Sequence, residues 1–305
     1  MTKAEGSGVD GYDVVVERIA SSARVVMLVG GLDTGKTTLG RTIARAAIES
    51  GRRAAYLDAD VGQKAVGPPT AVTLRLLESV EDLTPEAMDR MDALHFVGAT
   101  SPQGQLLPLV VGAGRLLARA QDEGAQMVIV DTSGLVSGVY GQILKYHKIE
   151  LLSPDVVVGL QRGEELEPLL GIIQRFFSSE VVVLPVHPDA VPTSVDERAH
   201  NREMRLRGYF AEEGLMRWRV KPTVFMPALP ALFDYRQLDR ILVGLVDGDG
   251  SYTGLGYLEY TVEDDVLRLI SPVDEAPKAL KLGSVRLDET FRVRRVDLRN
   301  LFGTD

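Results

Sequence analysis

Residues 30 to 37 read Gly30-Gly31-Leu32-Asp33-Thr34-Gly35-Lys36-Thr37, the pattern G-x-x-x-x-G-K-[ST]. Its chemistry is phosphate binding. Backbone N–H groups of such a loop, and of the helix it opens, cradle phosphate oxygens. Lys36 reaches the β- and γ-phosphates and Thr37 offers a hydroxyl to Mg²⁺. Gly31, Leu32, Asp33, Thr34, Gly35, Lys36, Thr37 and Thr38 are the expected nucleotide contacts, so the chain is expected to bind ATP or GTP with Mg²⁺.

A second element carries carboxylates. In Asp58-Ala59-Asp60-Val61-Gly62-Gln63 the period of a strand puts both acids on one face at a strand end. A carboxylate there can take the proton of an attacking hydroxyl or orient a Mg²⁺-bound water, and Asp60, at the loop mouth, is the expected base. Met127 to Val130 is an apolar run that ends in Asp131-Thr132-Ser133-Gly134. In that arrangement the acid supports Mg²⁺ through Thr37 or water. Farther on, Arg198, Arg202 and Arg205 are spaced i, i+4, i+7 and share one helical face, while Arg207 points roughly opposite. Arginines on a mobile helix can close over a transferring phosphoryl group and neutralise the charge that develops. His95, His147, His187 and His200 lack metal-ligand spacing and receive no catalytic role. Trp218, between Arg217 and Arg219, reads as a core or interface side chain ahead of a base-stacking one.

Positioning these groups requires an α/β fold. Strands are expected over Val25 to Val29, Ala54 to Leu57, Leu94 to Val97, Met127 to Val130, Val156 to Leu160 and Val181 to Leu184. Helices are expected over Thr37 to Ser50, Gln105 to Asp122 and Glu164 to Phe177. Alternation of this kind predicts a P-loop NTPase parallel sheet sandwiched by helices. The charged stretch at about 195–213 predicts an exposed lid helix. From about Val220, turn signals such as Asp247-Gly248-Asp249-Gly250 separate short alternating runs, Tyr257 to Val262 and Val266 to Ile270, which predicts a small C-terminal β-rich domain. The expected division is a flexible lead at 1–22, a P-loop domain at 23–219 that includes the lid, and the β-rich domain at 220–305.

Bulk properties narrow the function. A chain of 305 residues, 45% hydrophobic, buries a full core. Its net charge of −9 and pI of about 5.1 argue against coating nucleic acid through bulk electrostatics. A polyanion must be met locally, and from Arg198 to Lys221 seven Arg and Lys stand against three Glu, or +4. There is no Cys, which removes disulfides, thiolate metal sites and cysteine nucleophiles. The start of the chain lacks the basic and apolar segments of a signal peptide, and no apolar run reaches the ~18 residues of a membrane span. The expectation is a soluble, cytoplasmic protein with no membrane partner; the sequence points to no protein partner.

A guanine-specific GTPase carries Asn-Lys-x-Asp, yet the asparagines here are Asn201 and Asn300, and neither opens one. Partitioning-type ATPases carry an extra lysine early in the loop, which Gly30-Gly31-Leu32 lacks. What remains resembles the P-loop polynucleotide 5′-hydroxyl kinases, the RNA kinases associated with pre-mRNA cleavage factors, tRNA splicing and pre-rRNA processing. Five blocks carry the likeness in order over about Val25 to Phe210. They are the loop with Asp33 and Thr38; Asp58-Ala59-Asp60-Val61-Gly62-Gln63 followed by Gly67-Pro68-Pro69; Gly98-Ala99-Thr100-Ser101-Pro102; Asp131-Thr132-Ser133-Gly134 with Gly138; and the arginine helix ending Arg207-Gly208-Tyr209-Phe210. Only some twenty residues precede the first strand, closer to the short archaeal form than to eukaryotic relatives with an N-terminal β domain.

The resemblance implies transfer of the ATP γ-phosphoryl to the 5′-hydroxyl end of RNA or DNA. In it Lys36 holds the β/γ-phosphates, Asp60 activates the hydroxyl, and Asp58 and Asp131 support Mg²⁺ with Thr37. Arg198, Arg202 and Arg205 stabilise transferred charge, and Gln63, Thr100, Ser101 and Arg207 lie on the acceptor side. Two alternatives stay open: a small-molecule kinase or nucleotide hydrolase, and a non-catalytic ATP-binding scaffold.

Overall fold

The computed structural model describes residues 9–211, 214–230 and 233–302. In chain order the first part runs α1 (Val9–Ser22), β1 (Val25–Gly30), α2 (Lys36–Glu49), β2 (Ala54–Ala59), β3 (Ala71–Leu77), the single turn α3 (Pro85–Met88), β4 (Ala93–Phe96) and α4 (Leu106–Asp122). It continues through β5 (Met127–Thr132), α5 (Gly138–Leu152), β6 (Val156–Gln161), α6 (Glu167–Phe176), β7 (Glu180–Pro185) and α7 (Val195–Tyr209). The remainder is β8 (Met216–Arg219), β9 (Phe225–Met226), β10 (Ile241–Val246), β11 (Tyr252–Thr261), β12 (Val266–Ser271), β13 (Ala279–Leu287), β14 (Val293–Arg295) and the short α8 (Leu298–Phe302).

Continuous apolar runs, rich in Val in β1 and β5 and Ala-Ala-Tyr-Leu in β2, form these strands because both of their faces are covered, and every residue in them is buried. Strands β2, β5, β1, β6 and β7 lie side by side in that order, all parallel. Their C-terminal ends therefore collect along one edge, where the loop after Gly30, Asp60 and Asp131 meet. One face packs against α4, α5 and α6 through Leu109, Leu116, Leu144, Ile149, Leu170 and Ile173. The other packs against α1 and α2 through Val16, Ile19, Leu39 and Ile43.

The parallel sheet sandwiched by helices is as expected, with three differences. Strand β3 runs antiparallel between β2 and β4, making a local meander of what reads as a parallel step. Residues 9–22, expected as part of a flexible lead, form α1, whose Val15, Val16, Ile19 and Ala20 are buried against α2 while Asp13 and Glu17 face out. Residues 1–8 lie outside the described residues, as do 212 and 213 of the expected lid stretch. Finally, β8 pairs with β12, Trp218 opposite Leu269, so residues 216–219 join the C-terminal strands instead of closing the P-loop unit.

The C-terminal strands are antiparallel apart from the short β9 and continue the same sheet. They reach the first part through one register pair, Tyr252 of β11 opposite Leu94 of β4. A shared core seals the junction: Leu206 and Phe210 at the end of α7 pack with Leu94, Phe96, Leu255 and Tyr257. Trp218 is half-buried against the C-terminal core, and Arg217 pairs with Glu259, which accounts for that tryptophan as packing. No helix among the described residues is long and apolar enough to cross a membrane.

Candidate active site

The turn from β1 into α2 builds a phosphate cradle. Gly35 has φ +84°, a left-handed conformation open to glycine, and it is the N-cap of α2. The first turn of α2 carries no acidic side chain, so its unpaired N–H groups and positive dipole end are directed into the loop. Lys36 is buried, and its Nζ donates to the Gly31 carbonyl and lies 3.4 Å from Thr34 Oγ1. Burial pulls its pKa down, and Asp131, Asp60 and Asp33 act in the opposite sense. Arg162, just after β6, donates to the carbonyls of Leu32 (3.3 Å) and Asp33 (2.7 Å) and so holds the loop's outer arm from behind.

Below the cradle, Thr37 Oγ1 donates to Asp131 Oδ2 at 2.6 Å, and the fully buried Tyr56 hydroxyl donates to the same oxygen at 2.9 Å. Burial, then the neighbouring Asp58, raises the Asp131 pKa, while Lys36 and the two hydroxyl donors favour its ionised form. Burial also pushes the Tyr56 phenol well above its ordinary range. A hydroxyl and a carboxylate oxygen meeting here form a hard-oxygen donor set of the kind Mg²⁺ takes.

The two acids of the β2 end do different work. Asp58 is fully buried; Oδ1 faces Lys64 Nζ at 3.0 Å and the Asp60 N–H at 3.0 Å, and Oδ2 accepts from Ala65 N (2.6 Å) and Val66 N (3.0 Å). A carboxylate offers about four lone-pair directions, and all are taken. Asp58, expected to support a metal, is instead the staple of the 58–66 loop, with Lys64 as its counter-charge. Asp60 is half-buried at the mouth; its Oδ1 accepts from Gly62 N (2.8 Å) and Gln63 N (3.1 Å). Its Oδ2 has no hydrogen-bond partner among the described residues. That is the geometry of a fixed base with one free oxygen.

Helix α7 covers this space. Ser194 caps it with a reciprocal Ser194–Glu197 box. Arg198 forms an ion pair with Asp33, whose Oδ2 also accepts from Thr193 N at 3.1 Å, so the start of α7 is latched to the loop. Arg205 is latched on the opposite wall, to Asp89 (2.7 Å) and the Gly67 carbonyl (3.3 Å). Between them Arg202 has no hydrogen-bond or ion-pair partner among the described residues. Burial lowers its pKa, Asp60 opposes this, and Arg198 repels it. Under α7 runs a groove of about 1100 Å³ lined by Gly62, Gln63, Gly67, Arg202 and Arg205 among others.

Of the expected site residues, the loop, Thr37, Asp60, Gln63, Asp131 and the three arginines of one face converge. Gln63 lines the groove, with its Nε2 3.5 Å from the Arg198 carbonyl. Arg207, expected on the substrate side, instead pairs with Glu203 (2.9 Å) and the Thr290 carbonyl (3.2 Å), because its position on the helix faces the C-terminal strands. Thr100 and Ser101 line a different groove, beyond Gly62. Sequence reasoning missed Arg162, Lys64, and the fully buried Lys145 and Lys148 of α5. Lys145 Nζ donates to the Ser133 carbonyl at 2.6 Å and Lys148 Nζ to the Ala59 carbonyl at 3.2 Å. They tie α5 to the ends of β5 and β2, and burial lowers both, Lys148 to about 8. The available signal was a lysine pair at i, i+3 on the face that also carries Leu144, Ile149 and Leu152.

Comparison with known proteins agrees with this geometry. The family model described as "mRNA cleavage and polyadenylation factor CLP1 P-loop" matches residues 30–212. The chain is 27% identical to a polyribonucleotide 5′-hydroxyl-kinase of Methanocaldococcus jannaschii, over 87% of each chain. It is equally identical to one of Pyrococcus horikoshii, over 90% of each. Among solved structures, Clp1p in the wild-type Clp1p–Pcf11p complex superposes with a TM-score of 0.71 at 15% identity, covering 90% of this chain and 77% of that one, which is a likeness of fold. The family match takes in more than half of the chain and ends where α7 ends, so the cradle, both acid-bearing strand ends and the arginine helix all fall inside it: this chain belongs to the CLP1 P-loop family.

Proposed function

We propose that this protein is an ATP-dependent polynucleotide 5′-hydroxyl kinase acting on RNA ends. The observation that carries the reading is Asp60, whose uncommitted Oδ2 sits between the phosphate cradle and an unpartnered Arg202, where a nucleophile has to be activated. The names of the archaeal relatives, similar along nearly their whole length, support the choice of acceptor.

In this reading the 5′-hydroxyl oxygen attacks the γ-phosphorus, its proton passes to Asp60 Oδ2, and the bond from the γ-phosphorus to the β,γ-bridging oxygen breaks to release ADP. Lys36, freed from the Gly31 carbonyl by phosphate, holds the β- and γ-oxygens. Arg202 neutralises charge on the transferring group. Mg²⁺ held by Thr37 and Asp131 would supply neutralisation of the β- and γ-phosphates. Arg198 and Arg205 hold the helix down.

The test is incubation with γ-labelled ATP, Mg²⁺ and 5′-hydroxyl RNA or DNA oligonucleotides, beside Lys36→Ala and Asp60→Asn. Label is expected on RNA ends with the wild type and on none with either variant. Nucleotide binding without label on any oligonucleotide would sink the proposal.

A further inference from the structure

The acceptor in this reading is a strand, of which the terminal nucleotide alone reacts at Asp60. Its remaining phosphates need a path, and the acidic chain offers few cationic ones. A second groove of about 570 Å³ opens beside the first. It is lined by Thr100 and Ser101, by Ser284 of β13, by Arg295 at the end of β14 and by Arg299 of α8. The two grooves adjoin across a thin wall, where Gly62 of the first packs on the carbonyl of Thr100 of the second, so close that a Cβ at Gly62 would lie 2.7 Å from that oxygen. Gly62 is two residues from Asp60 and donates its N–H to it.

The far wall is fixed to the near one. Ser284 donates through N (2.8 Å) and Oγ (3.0 Å) to the Gly98 carbonyl, and Val296 N donates to the Ser284 carbonyl at 2.8 Å. The segment carrying Arg295 and Arg299 is thereby held in register with the 98–101 loop. Its charge stands out against a net of −9: from 292 to 299 there are four arginines and one aspartate, Asp297. Arg207, Arg217 and Arg268 each have a carboxylate partner, whereas the guanidinium groups of the exposed Arg295 and Arg299 have no hydrogen-bond or ion-pair partner among the described residues. Two free guanidinium groups lining one groove with the hydroxyls of Thr100, Ser101 and Ser284, next to the groove at the base, suit successive backbone phosphates.

We infer that Thr100, Ser101, Arg295 and Arg299 form a track for the phosphates downstream of the acceptor's first nucleotide, so that the C-terminal unit reads strand length and not the reacting end. This rests on the kinase reading. The wild type, an Arg295→Ala/Arg299→Ala double variant and Asp297→Asn are compared with a 5′-hydroxyl dinucleotide and a strand of roughly ten nucleotides. Transfer is followed by γ-label, and binding of the long strand by fluorescence anisotropy against salt.

The double variant is expected to raise KM for the long strand roughly tenfold, leaving kcat, KM for ATP and dinucleotide transfer unchanged. Its plot of log affinity against log salt becomes shallower by about 1.4, at about 0.7 per lost phosphate contact. Asp297→Asn tightens long-strand binding. Equal long-strand affinity and salt slope in wild type and double variant would overturn the track, as would equal losses on dinucleotide and long strand. Absence of transfer by the wild type, with arginine-dependent strand binding intact, would overturn the kinase reading and leave the track standing.

Discussion

Asp58 and Asp60 are separated by one residue and do opposite things. The first faces a buried lysine and three backbone N–H groups; the second leaves one oxygen open to the groove. Removing one partner of a buried ion pair strands the other charge, at a cost of about 3–5 kcal/mol. Asp58→Asn is therefore expected to lower Tm strongly, with residual activity tracking the folded fraction. Asp60→Asn keeps an acceptor for Gly62 N and Gln63 N, so it should melt like the wild type and transfer nothing. Thermal melts beside transfer assays separate the two; an Asp58→Asn protein with unchanged Tm and no transfer would reverse the assignment.

Helix α7 acts as a unit with two latches and one free arginine. Arg198→Ala releases the Asp33 end and Arg205→Ala the Asp89 end, so each is expected to raise KM for the acceptor more than it lowers kcat. Arg202→Ala removes charge stabilisation from the reacting group, with kcat expected to fall on the order of 100-fold or more at similar KM. Steady-state kinetics decide this, and an Arg198→Ala kcat loss as deep as that of Arg202→Ala would refute the division of labour. The arginine face itself was legible, because i, i+4, i+7 spacing survives into the helix, as were β1, β5, β6 and β7 from their β-branched runs and β2 from a short apolar run that ends in an acid. Helix α5 was not: burying Lys145 and Lys148 beside Leu144 and Ile149 blurs the apolar stripe that marks an amphipathic helix. Strand β3 was hidden as well, since a short apolar run such as Ala71–Leu77 gives no period that separates strand from helix. The latches were invisible in principle, for Asp33 and Arg198 meet across the fold, not along the chain.

At the scale of the molecule, the two units share a sheet through Leu94 and Tyr252, and His95 sits beside that pairing, its ring 4.8 Å from that of Tyr252. Burial, with Lys281 and Arg115 nearby, lowers its pKa to about 4 from an ordinary 6.5. A depressed folded-state pKa means the unfolded chain takes the proton first. Stability from this group is thus complete above pH 6.5 and is lost as pH falls toward about 4, with a slope of up to roughly 1.4 kcal/mol per pH unit. Denaturant melts across that window should show the slope, and His95→Gln should remove that component; an unchanged slope in the variant would assign it to carboxylates instead. The strand order has a consequence for synthesis. Strand β1 lies between β5 and β6, with Val26 opposite Ile129 on one side and Val156 on the other. As the chain leaves the ribosome, β2, β3 and β4 can zip into their meander at once, while the strand that delivers the phosphate loop waits for neighbours made about a hundred residues later. The capacity to hold a nucleotide therefore arrives only once β5 and β6 have been made, and the strand that carries the phosphate loop finds its place well after the meander that follows it in the chain.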